Sequence, residues 1–451
     1  MTTQSLKQRA VSGAIWTIVG YGGSQLLRFG SNLILTRLLI PEYFGLMAII
    51  NTLLAGIHLF SDLGVGQSII NNKRGEEEDF LNTAWTVQII RGFIIWGICL
   101  VATIPIAHFY NDQRLLSLIP IVGFSGVIDG FQTTRYHIAQ RRMELQNFIL
   151  FELLVQTIAI SCLVTMAYFQ PTVWTLAVSS IISTMVHTFF SFLFFPGPNH
   201  RLLWEKEALH DLTSFGRWIF LASAMMFIAE QSDRLILGKI IGLPTLGVFT
   251  IAYTLANMPR EILKTLSYRV IMPLVAQSLD LSRLELRTKI LKQRQKLLFL
   301  CIPCLAILVV GGDRVIALLY GHRYIQATWM MPIICVGLWF SILFQSISET
   351  LVAIGKPSYL APAQFIRFLA VAIGIPTGYH FAQIPGAICA LAMSDVPLYL
   401  TNLFALAREK LSPIAQDVQM TFYFIVTLGL LLLVRYQLGF GTPIDNLWLV
   451  H

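Results

Sequence analysis

The chain has 451 residues, 55% of them hydrophobic and only 12% charged, with a net charge of +8 and a mean hydropathy of +0.68. A soluble domain carries about 25% charged residues and needs a polar skin over its core. A soluble globule is therefore excluded, and the composition reads as an all-α polytopic membrane protein.

The chain opens with "MTTQSLKQRAVSGAIWTIVG", polar and basic at first and then apolar past Leu35, which predicts a first membrane span and no cleaved leader. A span needs about 20 apolar residues and must be helical, because lipid offers backbone groups no partners. On that measure spans are predicted at 12–38, 43–67, 83–109, 115–136, 147–169, 172–195, 214–241, 245–274, 297–320, 329–354, 359–382, 384–404 and 420–438. Lys and Arg gather on alternate connections, beginning with Lys7 and Arg9, and this asymmetry predicts a cytoplasmic N-terminus. The net charge is then a topology signal, and nucleic acid is not expected as a partner. The basic stretch 283–296 reads as a cytoplasmic surface helix against anionic lipid. After thirteen spans the tail "GFGTPIDNLWLVH" is too short and polar to cross again, which places the C-terminus outside.

The six cysteines all lie in apolar runs; Cys301 and Cys304 have a redox-like spacing, but packing is the plainer reading. No phosphate-binding lysine loop, His/Cys metal spacing or nucleophile elbow is present. No catalytic residue, metal or cofactor is therefore expected. Any energy for the chain's work would come from H+ or Na+ gradients or from substrate supply.

Shifted by 202 residues, the chain lies over itself: "LILTRLLIPEYFGLMAIINTLLA" (33–55) over "LILGKIIGLPTLGVFTIAYTLAN" (235–257), with Trp16 over Trp218, Gly45 over Gly247 and Thr52 over Thr254. Both copies start on the same side. The expectation is two six-helix bundles, 1–200 and 201–405, related by a pseudo-two-fold axis along the membrane normal, plus about one extra helix in 406–451.

Charges recur inside the predicted spans. Glu230, Asp233 and Arg234 share one helix face, and a charge at the bilayer centre costs about 2.5–3.5 kcal/mol. Such a face must meet water or protein. The first span carries Tyr21, Gln25, Arg28 and Asn32 in steps of 4, 3 and 4; the eighth carries Tyr253, Asn257, Arg260 and Lys264 in the same steps. Elsewhere stand Asn51, His58 and Asp62, then Arg91, Asp129, Glu349, Arg367 and Asp395. The first, second, seventh and eighth spans have the richest stripes and are expected to line a shared cavity. Its cations would be Arg28, Arg91, Arg234, Arg260, Lys264 and Arg367, helped by Gln25, Asn32 and Asn257. Its carboxylates would be Asp62, Asp129, Glu230, Asp233, Glu349 and Asp395. The plainer alternative is that these charges pair internally and fix helix packing. Arginine matches phosphate oxygens in a bidentate fork, so a large polyhydroxylated anion suits the set. Trp16, Trp85 and Trp218 are candidates to stack on sugars or to anchor at the interface. Pro259, Pro273, Pro303 and Pro332 are predicted kinks.

The N-terminal region, above all "LTRLLIPEYFGLMAI" (35–49) and "SDLGVGQSII" (61–70), resembles the polysaccharide transporter family, the Wzx-type oligosaccharide flippases of the MOP superfamily, in its colanic-acid-exporter-like branch. "GRWIFLASAMMFIAEQSDRLILGKIIG" (216–242) is similar to that family's seventh span. The resemblance implies a MATE-like fold and alternating access. It implies movement of an undecaprenyl-diphosphate-linked oligosaccharide across the bacterial inner membrane for exopolysaccharide or lipopolysaccharide synthesis. It also implies neighbouring lipids, a polysaccharide polymerase and glycosyltransferases as partners, and a diphosphate-binding role for Arg28, Arg91, Arg234, Arg260 and Arg367. Two other readings stand beside it: a cation-coupled multidrug exporter, which would need a more acidic cavity lined by Met and aromatic residues, and a non-transporting scaffold, which would need no cavity. Members of the branch often have fourteen spans, one more than is read here.

Overall fold

Long apolar runs with few glycines or prolines have one low-energy form in lipid, the helix, and the chain follows that rule. The computed structural model describes residues 6–61, 64–142, 145–197, 200–445 and 447, and every regular element among them is helical. These residues divide into two units, 1–227 and 228–451.

In the first unit, α1 (Leu6–Leu38) leads to α2 (Pro41–Phe60), whose Pro41 fits a first turn that needs no N–H from it. Gly64, at φ +66°, takes a left-handed conformation open to glycine and starts the short α3 (Val65–Asn71). α4 (Glu78–Tyr110) is a single long helix. The predicted span 115–136 is broken into α5 (Leu115–Gly123) and α6 (Ser125–Gly130), and after a 66° bend α7 (Arg135–Arg141) begins at its end and runs beyond it. α8 (Leu145–Phe169) and α9 (Val173–Phe194) follow. Small residues let α4 and α6 touch backbone to backbone: a Cβ on Gly92 would lie 2.5 Å from the Gly126 carbonyl, and one on Gly130 3.0 Å from that of Gln88.

α10 (Lys206–Ile240) runs through the division at 227/228. The predicted eighth span is cut at Asn257 into α11 (Leu243–Ala256) and α12 (Met258–Ala276). Pro259 sits in the first turn of α12, where a missing N–H costs nothing. α13 (Arg283–Tyr320) starts from a capping box in which Ser282 and Glu285 satisfy each other's backbone N–H groups. α14 (Ile325–Gln345) is the most enclosed helix and carries the fully buried Trp329 and Trp339. Helical backbone continues through Pro273, Pro303 and Pro332. After α15 (Ser348–Ala353) comes α16 (Leu360–Met393), then α17 (Asp395–Arg408) and α18 (Ile414–Gln437).

α16 is two helices in one. Ala382 and Gln383 leave helical geometry, Gln383 with φ +50°. Residues eight apart in a straight helix are about 12 Å apart, yet a Cβ on Gly386 would lie 2.0 Å from the Gly378 carbonyl oxygen. The chain therefore doubles back at 382–383 into a tight hairpin, and the predicted spans 359–382 and 384–404 are its arms.

Among the described residues, eight helices are long and apolar enough to cross a membrane, nine if the bent pair around Gln132 is one span. The expected thirteen is not reached by that measure. Two causes are visible: α11 and α12 are pieces of 14 and 19 residues, and Leu360–Arg408 counts once although it reverses.

One sequence expectation is corrected outright. Arg294, in the basic stretch read as a lipid-facing surface, is fully buried. Its guanidinium meets Asp417 Oδ1 of α18 at 2.5 Å, and it donates to Ser346 Oγ at 2.8 Å and Gln416 Oε1 at 3.0 Å. At the other end of α18, Arg435 grips both carboxylate oxygens of Asp313 on α13, at 2.6 and 2.7 Å.

Candidate functional site

The first unit contains a cavity of about 760 Å³, within the range of about 300–1,000 Å³ usual for ligand sites. It opens between α1, α2, α8 and α9. Ser24, Arg28 and Ser31 enter from α1, since steps of 3 and 4 put them on one helix face, and Asn51 enters from α2. Glu152 and Gln156 come from α8, and Ser180, Ser183 and His187 from α9 by the same periodicity. The walls between them are apolar, with Phe44, Met47, Phe148 and Leu163.

Glu152 is the centre of the polar groups. Tyr136 on α7 donates its hydroxyl to Glu152 Oε1 at 3.0 Å, and His187 Nε2 stands 3.5 Å from the same oxygen. The field of Arg28 also reaches this carboxylate. The cavity thus presents one arginine, one carboxylate, one imidazole and a set of hydroxyls and amides. Such a lining can hold an anionic group at Arg28 and hydroxylated groups along the serines. The sequence reading passes over Glu152 and His187: each is the one acidic or basic side chain in its apolar run, and they meet only through the α8–α9 packing, 35 positions apart.

The other site residues of this unit are placed differently. Arg91 donates to Ser61 Oγ at 3.1 Å and to the His58 carbonyl at 2.8 Å, closing the C-terminal end of α2. Asp129 is half-buried on α6, where its carbonyl accepts from Gln88 at 3.1 Å. Gln25 and Asn32 are half-buried on α1, and Asn32 Oδ1 has no hydrogen-bond partner among the described residues. Trp85 stacks on His200 with ring centroids 5.2 Å apart and donates to the Phe131 carbonyl. Asp62 and the side chains of Tyr21 and Trp218 lie outside the described residues.

In the second unit the expected charges gather, but around one another. Arg367 Nε donates to Asp395 Oδ1 at 2.6 Å across the α16–α17 hairpin, and both are buried. Arg260 is buried beside them and donates to the Tyr253 hydroxyl at 3.2 Å and to Asn257 Oδ1 at 3.3 Å. Asp233, 2% exposed, completes a group whose members feel one another's charge. Two arginines balance two aspartates, and the adjoining void is only about 20 Å³, room for one water. Arg234 reaches Gln231 and lies over the Tyr253 ring at 6.0 Å. Glu230 pairs with Lys264 at 3.7 Å, and the field of Lys264 reaches Glu349. Asn257 Nδ2 also donates to Glu261, a carboxylate that the sequence reading does not single out. This neutral cluster matches the plainer alternative, internal pairing, for Arg367 and Asp395.

Outside the spans, ion pairs tie connections together. Arg74 joins Glu77 at 2.7 Å and Glu205 at 2.6 Å, and the two acids hold its guanidinium charged. The Arg142 side chain holds Glu76 below the usual carboxylate range. Arg114, followed by weaker backbone help against burial, does the same for Asp112.

Comparison with known proteins adds to this geometry. A model of the family described as polysaccharide biosynthesis protein matches residues 34–328. The lipopolysaccharide biosynthesis protein WzxC of Escherichia coli (strain K12) is 23% identical over 344 residues, 74% of this chain and 67% of that protein. An uncharacterized membrane protein in the cps region of Klebsiella pneumoniae is 20% identical over 443 residues, 95% of this chain and 89% of the other. Among solved structures, lipid II flippase MurJ in an inward closed conformation superposes with a TM-score of 0.70 at 14% identity, over 97% of this chain and 95% of that chain. An inward-facing multidrug resistance MATE family transporter of the MOP superfamily gives 0.65 at 15% identity, over 85% of this chain and 94% of that one. At such identities the likeness is one of fold, and the fold is that of this transporter superfamily.

Proposed function

Since this chain belongs to the polysaccharide biosynthesis protein family, as a Wzx-type polysaccharide transporter of the MOP superfamily, we infer that it is a flippase for a lipid-linked oligosaccharide. The substrate class is an oligosaccharide on a polyprenyl diphosphate, undecaprenyl diphosphate in a bacterial inner membrane. It serves exopolysaccharide or lipopolysaccharide assembly. The names of the relatives, lipopolysaccharide biosynthesis among them, and of the MurJ neighbour support this class. The reading is of a carrier and not of an enzyme, working by alternating access with its N-terminus in the cytoplasm. The 1–200 and 201–405 halves are taken as an internal duplication with 406–451 appended. A polymerase and glycosyltransferases are the natural partners.

The single observation that carries this reading is the cavity of the first unit. It joins one arginine, free to fork onto a diphosphate, to a run of serines, Asn51 and Gln156 suited to sugar hydroxyls. At about 760 Å³ it is large enough for a head group, and the walls between its polar groups are apolar. A multidrug exporter for organic cations would want a surplus of carboxylates there, whereas Glu152 faces both Arg28 and His187. A scaffold would want no cavity.

The test is a vesicle assay with the purified chain and a fluorescent polyprenyl-diphosphate disaccharide, read by quencher accessibility. Arg28→Gln is expected to slow translocation about tenfold or more, the worth of one charge-assisted contact. Lys356→Gln, an exposed change in a connection, leaves the rate unaltered. Native-rate translocation by the Arg28 variant would overturn the reading.

A further inference from the structure

We propose that Glu152 and His187 form a proton-binding site whose occupancy is linked to the anion held at Arg28, so that head group and proton bind the first unit's cavity together. This rests on the function inferred above and deepens it, since nothing in that reading says which ion is involved or where it sits.

The geometry is that of a proton site. His187 Nε2 lies 3.5 Å from Glu152 Oε1, too far for a good neutral hydrogen bond and close enough for an ion pair once the ring is charged. Both groups line the cavity and both are partly exposed, at 24% and 41% of their side-chain surfaces, so protons reach them. A hard metal cation is a poor fit: it wants several oxygen ligands. Here the carboxylate is met by an imidazole and a hydroxyl donor, with an arginine in reach. Histidine is the side chain whose ordinary charge change falls between pH 5 and 8.

The surrounding charges set the linkage. From α1, Arg28 faces the pair; from α7, Tyr136 donates to Glu152; from α6, the field of Asp129 acts on Tyr136; α2 contributes the neutral Asn51. An empty cavity leaves the Arg28 cation to oppose an imidazolium. A diphosphate on Arg28 cancels that field and adds negative charge. One proton then moves from water to the His187 ring, and its N–H turns to Glu152 Oε1 while Tyr136 keeps its bond to that oxygen. No other bond changes. When the head group leaves, Arg28 again opposes the imidazolium and the proton returns to water. By reciprocity, acid tightens the binding of the anion.

The test uses the full chain in lipid nanodiscs with farnesyl diphosphate as probe, titrated calorimetrically from pH 5.5 to 8 in two buffers of different ionisation enthalpy. The probe's own phosphate protonates in this range, so the readout is the difference between native chain and variants. The native chain is expected to take up close to one proton more than Glu152→Gln or His187→Asn, and to gain about tenfold more affinity than they do between pH 8 and pH 6. Either variant alone suffices, and each nearly preserves shape. Tyr136→Phe keeps the linkage but moves its midpoint to higher pH, because the carboxylate loses a donor and holds the imidazolium harder. Binding with the same proton uptake in native chain and variants overturns this inference and leaves the flippase reading intact. No binding of the probe at any pH, in a chain that melts as native, overturns both.

Discussion

Arg367 and Asp395 are separated by 28 positions, and each on its own is a costly residue for a membrane helix. Together they form a buried pair at 2.6 Å with Arg260, Tyr253 and Asp233 nearby. Removing one partner of such a pair is expected to be worse than removing both, because it strands the other charge. Asp395→Asn should destabilise the chain by about 3–5 kcal/mol, while the double change Arg367→Met with Asp395→Leu costs much less. Denaturation in mixed micelles measures both, and equal losses would show that the stranded Arg367 carries no penalty. At this scale the sequence marks positions and leaves partners open. It singles out Arg367 and Asp395 by charge in an apolar run, but partnership depends on the hairpin that brings them together. Glu152 and His187 escape for the same reason: the polar neighbours three or four positions away, Gln156 and Ser183 among them, carry no charge, and the two groups meet only across helices. Arg294 misleads in the opposite direction, since five other basic residues around it advertise a surface and Asp417 lies more than a hundred positions later.

At the scale of elements, the apolar runs locate the helices well, because length and hydropathy are local properties. Their breaks are less legible. α6 gives way to α7 at the polar Gln132, Thr133 and Thr134, and α11 to α12 at Asn257, two positions before Pro259, but in each case the polar stretch is too short to mark a connection by composition. The α16 hairpin shows what a break requires. Gly378 and Gly386 meet with no room for a side chain on either, and Gln383 carries the turn with a positive φ. Gly386→Val should therefore abolish the folded hairpin, read as loss of monodisperse protein and of transport. Gly429→Ala in α18, where a Cβ meets nothing within 4 Å, should leave both unchanged. A monodisperse, active Gly386→Val chain would contradict the doubled-back geometry.

Over the whole molecule, α18 behaves as part of α13. Asp417 and Arg435 are 18 positions apart on α18, about 27 Å along a helix and close to the thickness of the hydrocarbon layer. Each is fixed to α13 by a buried ion pair, and between them Trp339 of α14 stacks on Phe424 with ring centroids 4.7 Å apart. A helix held at both ends and in the middle moves with its neighbours. Phe299 and Tyr423 have ring centroids 5.7 Å apart on α13 and α18. Cysteines at these two positions, in a background with the native cysteines replaced, should cross-link fully while translocation stays within about twofold of the reduced protein. A cross-link that stops transport would mean that α18 slides against α13 during the cycle. The fold class is visible in the sequence at this scale, since it is a statement about where long apolar runs lie. The site is not, because a cavity is made by what four separate helices leave unfilled.

The hairpin also constrains how the protein is made. A ribosome completes the arm bearing Arg367 before it reaches Asp395, so for that interval the arginine has no counter-charge within its own hairpin. The two arms then favour leaving the translocon for lipid as one unit, and the glycine contact at Gly378 and Gly386 gives them a shape in which to do so.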